Sequence, residues 1–324
     1  MLTYLQAIVI ALIQGVTELF PVSSLGHSVL VPAWIGGSWQ DLVTQSSQGD
    51  SGSSFYLAFI VALHVATALA LLLFFRADWI RIVRGFVRSV VRGVQERRFR
   101  TLDPDERLAW LIVLATIPVG ITGLAFEHVF RTVFAKPVAA SAFLLINGVI
   151  LLAGERMRRR PQRAIVRRDL EVIHVPRVRS GARSDAELAE AYASDVRVSR
   201  LPYSDGVAIG SFQILALLAG ISRSGVTMVG GLWKGLSHED AARFAFLLAT
   251  PVILAAGVLK IPSLFGHAGE HIHGQVAVGF VITGVAAYLS VRFLVRYFEK
   301  YTLTPFAIYC LLAGGISLVR FAAF

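Results

Sequence analysis

The sequence predicts an all-α integral membrane protein built as an inverted-topology repeat, each half a re-entrant helical hairpin followed by three transmembrane helices. Of 324 residues, 55% are hydrophobic and 16% charged, and the mean hydropathy is +0.65, well outside the range of a water-soluble domain. Continuous apolar runs long enough to cross the roughly 30 Å core of a bilayer lie at 55–75, 108–126, 138–154, 240–261, 275–294 and 303–321. They are Leu/Ala/Val-rich and unbroken, whereas a membrane β-barrel needs short alternating segments. Offset by 199 residues, QGVTELFPVSSLGHSV (14–29) aligns with QILALLAGISRSGVTM (213–228): Gln14 with Gln213, Val22 with Ile221, Ser23 with Ser222, Gly26 with Gly225, Ser28 with Thr227. Three apolar runs follow each copy, and an odd number of crossings turns the second copy upside down relative to the first.

The chain accordingly divides into a first repeat (1–154, hairpin 2–32), a basic loop (155–204) and a second repeat (205–324, hairpin 207–233). The start, MLTYLQAIVIALIQG, lacks a basic leader and a small-residue cleavage pattern, so it reads as retained. In the hairpins, the apolar stretch 4–20 meets FPVSSLG and 207–218 meets LAGISRSGVT. Pro21, Gly26, Gly220 and Gly225 oppose a continuous helix there. Each copy is expected to enter the membrane, break and return. Broken backbone at that depth needs a protein-lined or wet cavity. Helices restarting near Ser23 and Ser222 would aim free N–H groups into it, as anion sites.

The net charge of +10 is carried by two loops: 76–107 has nine Arg against five acids, and 155–200 twelve against seven. Both flank spans, which marks them as cytoplasmic and in contact with bilayer lipids of anionic headgroup. Segments 33–54, 127–137 and 262–274 then face outward. Nucleic acid is excluded as a partner because the arginines have no interleaved aromatic platform. Within 155–204, DLEVIHVPRV alternates like a short strand and SDAELAEAYASD reads as a capped helix, in a loop expected to be a solvated linker. Cys310 is the only cysteine, so no intrachain disulfide forms. His267, Glu270, His271 and His273 in GHAGEHIHG read as a solvated outer turn rather than a metal site, and His64 in its span as hydrogen-bonded packing.

The polar residues of the two breaks carry the chemistry. Gln14 and Glu18 share a helix face, and an ionised Glu in a bilayer costs about 3 kcal/mol on insertion scales, so an idle one is selected against. Arg223 beside Ser222 and Ser224 at a helix start suits a phosphate. Ser24 and His27, one turn apart, offer a nucleophile and a base. Gly225 and Thr227 complete a donor-rich second segment, and phosphoryl chemistry fits this set.

QGVTELFPVSSLGH and GISRSGVTM resemble the two signature segments of the undecaprenyl-diphosphate phosphatase family, the bacitracin-resistance type of polyprenyl pyrophosphatase. The order, separation and hydropathy match over nearly the whole chain, apart from 155–204. The resemblance implies a multi-pass enzyme of the bacterial inner membrane that hydrolyses undecaprenyl diphosphate to the monophosphate carrier and inorganic phosphate. By motif position it implies Glu18, Ser24, His27 and Arg223 as catalytic, with Gln14, Ser23, Ser222, Ser224, Gly225 and Thr227 binding substrate. It also implies a divalent cation, Mg²⁺ or Ca²⁺, at Glu18, and a homodimer is a further expectation. Many members carry Glu where this chain has Gln14, which removes one anionic ligand; Leu25 replaces a frequent Thr and Ala219 a frequent Pro. Which of Glu18 and His27 is the base, and whether Ser24 or His27 is the nucleophile, stays open. A transporter or flippase using the same midplane anion site is the alternative. The acid-phosphatase-like membrane family is rejected, because SRSGVTMVGG lacks the downstream His and Asp it requires.

Overall fold

The computed structural model describes residues 2–42, 55–97, 101, 103–134, 136–158, 185–260 and 272–323. Among these residues there is no strand. All six apolar runs are helical: α3 (Phe55–Phe74), α5 (Pro104–Phe134), α6 (Pro137–Met157), α10 (His238–Lys260), α11 (His273–Phe298) and α12 (Thr304–Ala323). Five of them are long and apolar enough to cross a membrane alone, and α3 makes a sixth when taken with the bent helix that follows it.

The breaks occur where Pro and Gly interrupt the apolar pattern. α1 (Tyr4–Thr17) starts in a capping box, with Thr3 Oγ1 accepting from Gln6 N and Gln6 Oε1 accepting from Thr3 N. It ends before Pro21, and α2 (Ser24–Ile35) restarts with Ser23 as its cap. In the other half α8 (Tyr203–Ser211) tightens into a 3₁₀ turn, Phe212–Leu217. There the chain turns extended at Leu218, and α9 (Arg223–Trp233) restarts with Ser222 as its cap. Both restarts fall where the sequence places them.

Helices from the two ends of the chain interleave. α1 lies on α11, where Thr283 Oγ1 donates to Ala11 O at 2.9 Å, and α6 packs along α12. Close approach rests on small residues, as is usual between helices in lipid: a Cβ on Gly210 of α8 would lie 1.9 Å from Ala115 O of α5. Ala7, Ala11, Leu63, Leu71, Leu111 and Leu247 fill the buried core between these helices.

Two expectations change. Arginine-rich 76–96, read as loop, is helical: α4 (Arg76–Glu96) leaves α3 at 86°. The arginines hide a helical period that their long stems do not oppose. The solvated linker does not hold over 185–204 either. α7 (Asp185–Ser199) buries Ser194, Asp195, Val196 and Val198 against α5 and α10. Asp195 accepts from Arg243 Nε at 2.7 Å and from Arg81 Nη2 at 2.7 Å, and Arg197 binds Asp240 at 2.8 Å. Burial works against the charge of Arg197, but the hydrogen bonds and proximity of Asp240 hold its guanidinium protonated beyond the ordinary range. The strand expected at DLEVIHVPRV and the residues His267, Glu270 and His271 lie outside the described residues; His273 opens α11.

Candidate active site

The two breaks meet tip to tip. Ser23 Oγ caps its own helix by accepting from Gly26 N at 3.2 Å, and also accepts from Gly220 N of the other break at 3.2 Å. Ser222 Oγ repeats the cap with Gly225 N at 3.2 Å, and the hydroxyls of Ser222 and Ser224 both reach Phe20 O. Ser23 holds φ at 69°, a left-handed conformation that costs a non-glycine residue about 1–3 kcal/mol and persists only when its surroundings over-determine it. Here they do. Gly26 and Gly220 supply the closeness, since a Cβ on Gly26 would stand 3.0 Å from the Gly220 Cα.

Asn147 of α6, absent from the residues the motifs single out, joins the tips. It is fully buried. Its Nδ2 donates to Pro21 O at 3.1 Å and its Oδ1 accepts from Ser222 N at 3.0 Å. One side chain therefore fixes the chain before Ser24 relative to the cap of Arg223.

Glu18 lies at the centre, buried, at the end of α1. Its Oε1 accepts from Arg223 Nη2 at 2.7 Å. Its Oε2 accepts from Gln14 Nε2 at 2.9 Å and from Ser24 Oγ in a short contact, and His64 Nε2 of α3 stands 3.3 Å away. His64 is thus a site residue, contrary to its reading as packing. The signal was an ionisable ring inside an apolar span; its partner, 46 positions earlier, could not be read from spacing. His64 Nδ1 is 2.8 Å from Ile60 O, which fixes the ring's orientation.

The expected Ser24–His27 pair is not formed. His27 Nδ1 faces Ser23 O at 2.7 Å and its Nε2 faces Tyr309 Oη of α12 at 2.7 Å, with the two rings stacked. Since a carbonyl only accepts, Nδ1 carries the hydrogen and Nε2 is left to accept from Tyr309. The ring has no nitrogen left for Ser24, whose partner is Glu18. Thr227 also turns away, donating to Arg223 O at 2.7 Å within its own helix. Gly225 lies at the contact of the tips, where a Cβ would meet Pro21 at 3.2 Å.

The divalent cation does not fit Glu18. The guanidinium of Arg223 already stands 2.7 Å from Glu18 Oε1, and a fixed positive charge that close neutralises the carboxylate and repels a second cation. Gln14 offers a buried, unpartnered amide oxygen, a neutral ligand in place of a second carboxylate, and no group of three or more His, Cys, Asp or Glu converges among the described residues. The same donor set fits an anion. Arg223 Nη1 is buried with no partner, on a helix whose N-terminus faces the junction.

A helical membrane protein whose paired helix breaks collect an arginine, a carboxylate and a carboxylate-bound serine in one buried cluster is of the class that handles an anionic headgroup inside the bilayer. The chain belongs to the family described as "Bacitracin resistance protein BacA", which matches residues 7–316. It is similar to undecaprenyl-diphosphatase 2 of Frankia alni, 58% identical over 99% of this chain and 98% of the relative. It is 59% identical, over the same shares, to the undecaprenyl-diphosphatase of Mycolicibacterium paratuberculosis. The undecaprenyl-diphosphatase of Acidiphilium cryptum is 40% identical over 98% of both chains.

Proposed function

We propose that this chain is an undecaprenyl-diphosphatase that removes the terminal phosphate of its lipid substrate and returns the monophosphate carrier to the bacterial inner membrane. Family membership supports the activity, and the observation that carries the mechanism is the Ser24–Glu18–Arg223 cluster. The prenyl tail stays among the lipid-facing helices while the diphosphate enters at the junction of the tips. There Arg223 Nη1, buried and without a partner, takes a phosphate oxygen, and the N-termini of α2 and α9 add N–H groups. Ser24 Oγ attacks the terminal phosphorus in line, its proton passing to Glu18 Oε2. The bridging P–O bond breaks, so undecaprenyl phosphate leaves and a phosphoserine remains. Water then attacks that phosphorus and the Ser24 Oγ–P bond breaks; Glu18 returns its proton to Ser24 Oγ, and the water's protons leave with inorganic phosphate. Glu18 rather than His27 is the base in this reading, because it is the group bonded to Ser24. His27 and Tyr309 hold the strained Ser23 turn from the lipid side, Tyr309 being half exposed on α12.

No step is routed through a cation, and one that accompanies the diphosphate needs no ligand from Glu18. The inverted repeat is part of the proposal: the caps at Ser23 and Ser222, each accepting from the N–H of a glycine three residues on, support it. Phosphate release from a short-chain prenyl diphosphate by Ser24→Ala tests the mechanism. We expect turnover to fall by about 10³-fold or more, with no phosphoenzyme trapped on acid quench; turnover near the parental rate removes Ser24 as nucleophile.

A further inference from the structure

α4 presents three faces. Ala77, Asp78, Ile82, Gly85, Ser89 and Gly93 are buried. They seat the helix on α5, so tightly that a Cβ on Gly85 would meet the Asp105 backbone at 2.9 Å; Trp110 Nε1 donates to Ser89 Oγ at 2.9 Å. About half a turn away, Ile80, Val83, Val87, Val91 and Val94 form a stripe with spacings of three and four, each between 45% and 69% exposed. On one flank between these two faces, Arg84 and Arg88 are exposed, Arg88 within 3.0 Å of Asp103. Arg81 and Arg92, on the same flank, are turned inward to Asp105 and Glu106.

A water-soluble helix does not expose five aliphatic residues in one line, and a membrane-crossing helix does not carry this row of arginines. The 86° turn at Phe75 resolves the conflict: if α3 crosses the bilayer, α4, about 31 Å long, runs in its plane. We propose that α4 is an in-plane anchor that docks on the anionic leaflet, its valine stripe among the acyl chains and Arg84 and Arg88 on the phosphates of acidic phospholipids. The occupant follows from the two flanks together. An apolar stripe alone would suit a second copy of the chain, but an adjoining basic row beside a membrane-spanning helix matches the acyl-to-phosphate boundary of a lipid surface. The inference does not depend on the phosphatase reading, because no residue of α4 belongs to the site.

The test uses the full chain in nanodiscs of phosphatidylglycerol and phosphatidylethanolamine, with spin labels placed one at a time at Val83→Cys, Val87→Cys, Val91→Cys, Arg84→Cys and Arg88→Cys. The native Cys310 is buried and silent to the reagent. Labels on the valine positions are expected to collide with oxygen and escape a water-soluble nickel chelate, and labels at 84 and 88 to show the reverse. Equal nickel access at 87 and 88 overturns the proposal in favour of a water-facing helix. Shielding of 87 from both agents overturns it in favour of a protein partner, such as a second copy. In the second arm, Arg84→Gln with Arg88→Gln should weaken the preference for spin-labelled phosphatidylglycerol over phosphatidylcholine by about five-fold per arginine, with phosphate release unchanged. An unaltered preference removes the headgroup contact.

Discussion

Asn147 gives the sharpest test of the way the tips are held. Asn147→Leu keeps the side-chain volume close to the original and removes, besides a contact with Cys310 Sγ, the two bonds to Pro21 O and from Ser222 N. Each is a backbone group buried between helices, and the Cys310 thiol, 3.8 Å from Pro21 O, is a weak substitute. Leaving a buried polar group unpaired costs about 1–3 kcal/mol, so the pair should cost about 2–6 kcal/mol. The chain relieves part of that by letting the tips part, which moves Arg223 relative to Ser24, and a displacement of about 1 Å in a reacting constellation is worth about 10²-fold in rate. We expect a lowered thermal midpoint in detergent and phosphate release reduced about 10²-fold, mainly in kcat. Asn147→Asp should fall between, since it keeps the acceptor for Ser222 N while opposing Pro21 O with an oxygen. If Asn147→Leu matches the parent within two-fold in turnover and in midpoint, the tips are not held by this residue and the argument fails.

Arg223→Lys should lose about 10²–10³-fold in phosphate release, because a point charge cannot bind Glu18 and a phosphate together as the guanidinium fork does; retention of most activity counts against the clamp. Asp195→Ala strips the buried Arg243 and Arg81 of a shared carboxylate, and removing one partner of a buried ion pair costs about 3–5 kcal/mol. Its thermal midpoint should drop while the isolated site chemistry, measured below that midpoint, is kept, and an unchanged midpoint refutes a structural role for α7. Titrating Mn²⁺ into substrate-free protein and following its paramagnetic signal should find no tight stoichiometric site; a site that appears and is lost in Glu18→Gln would show that the carboxylate can exchange its donors for a metal.

The readable part of the site was the part encoded in contiguous stretches. Gln14, Glu18 and Ser24 lie within one short segment, and Ser222, Arg223 and Ser224 are adjacent, so their types and order announced an anion site. The restarts at Ser23 and Ser222 followed from serine caps after Pro and Gly. Contacts across long separations were hidden. His27 turned out to pair with Tyr309, 282 positions away, and Asn147 had no sequence feature to distinguish it from a polar residue tolerated in a span. For α4 composition misled, because its arginines suggested a solvated loop; the helix of α7 was legible in SDAELAEAYASD but its burial was not, since Asp195 is buried only because Arg81 and Arg243 arrive from two other helices to neutralise it.

By itself the sequence determined that this chain lies in a membrane, where its apolar helices run and break, and which polar groups the breaks carry, because each of these depends on transfer free energies and backbone sterics that act over a few turns. The tertiary structure decided which of those groups touch. Glu18 receives Arg223 from one half, His64 from a span and Ser24 from its own elbow. A carboxylate in a medium of low polarity takes whatever donors the packing brings within reach, and packing is a property of the whole chain.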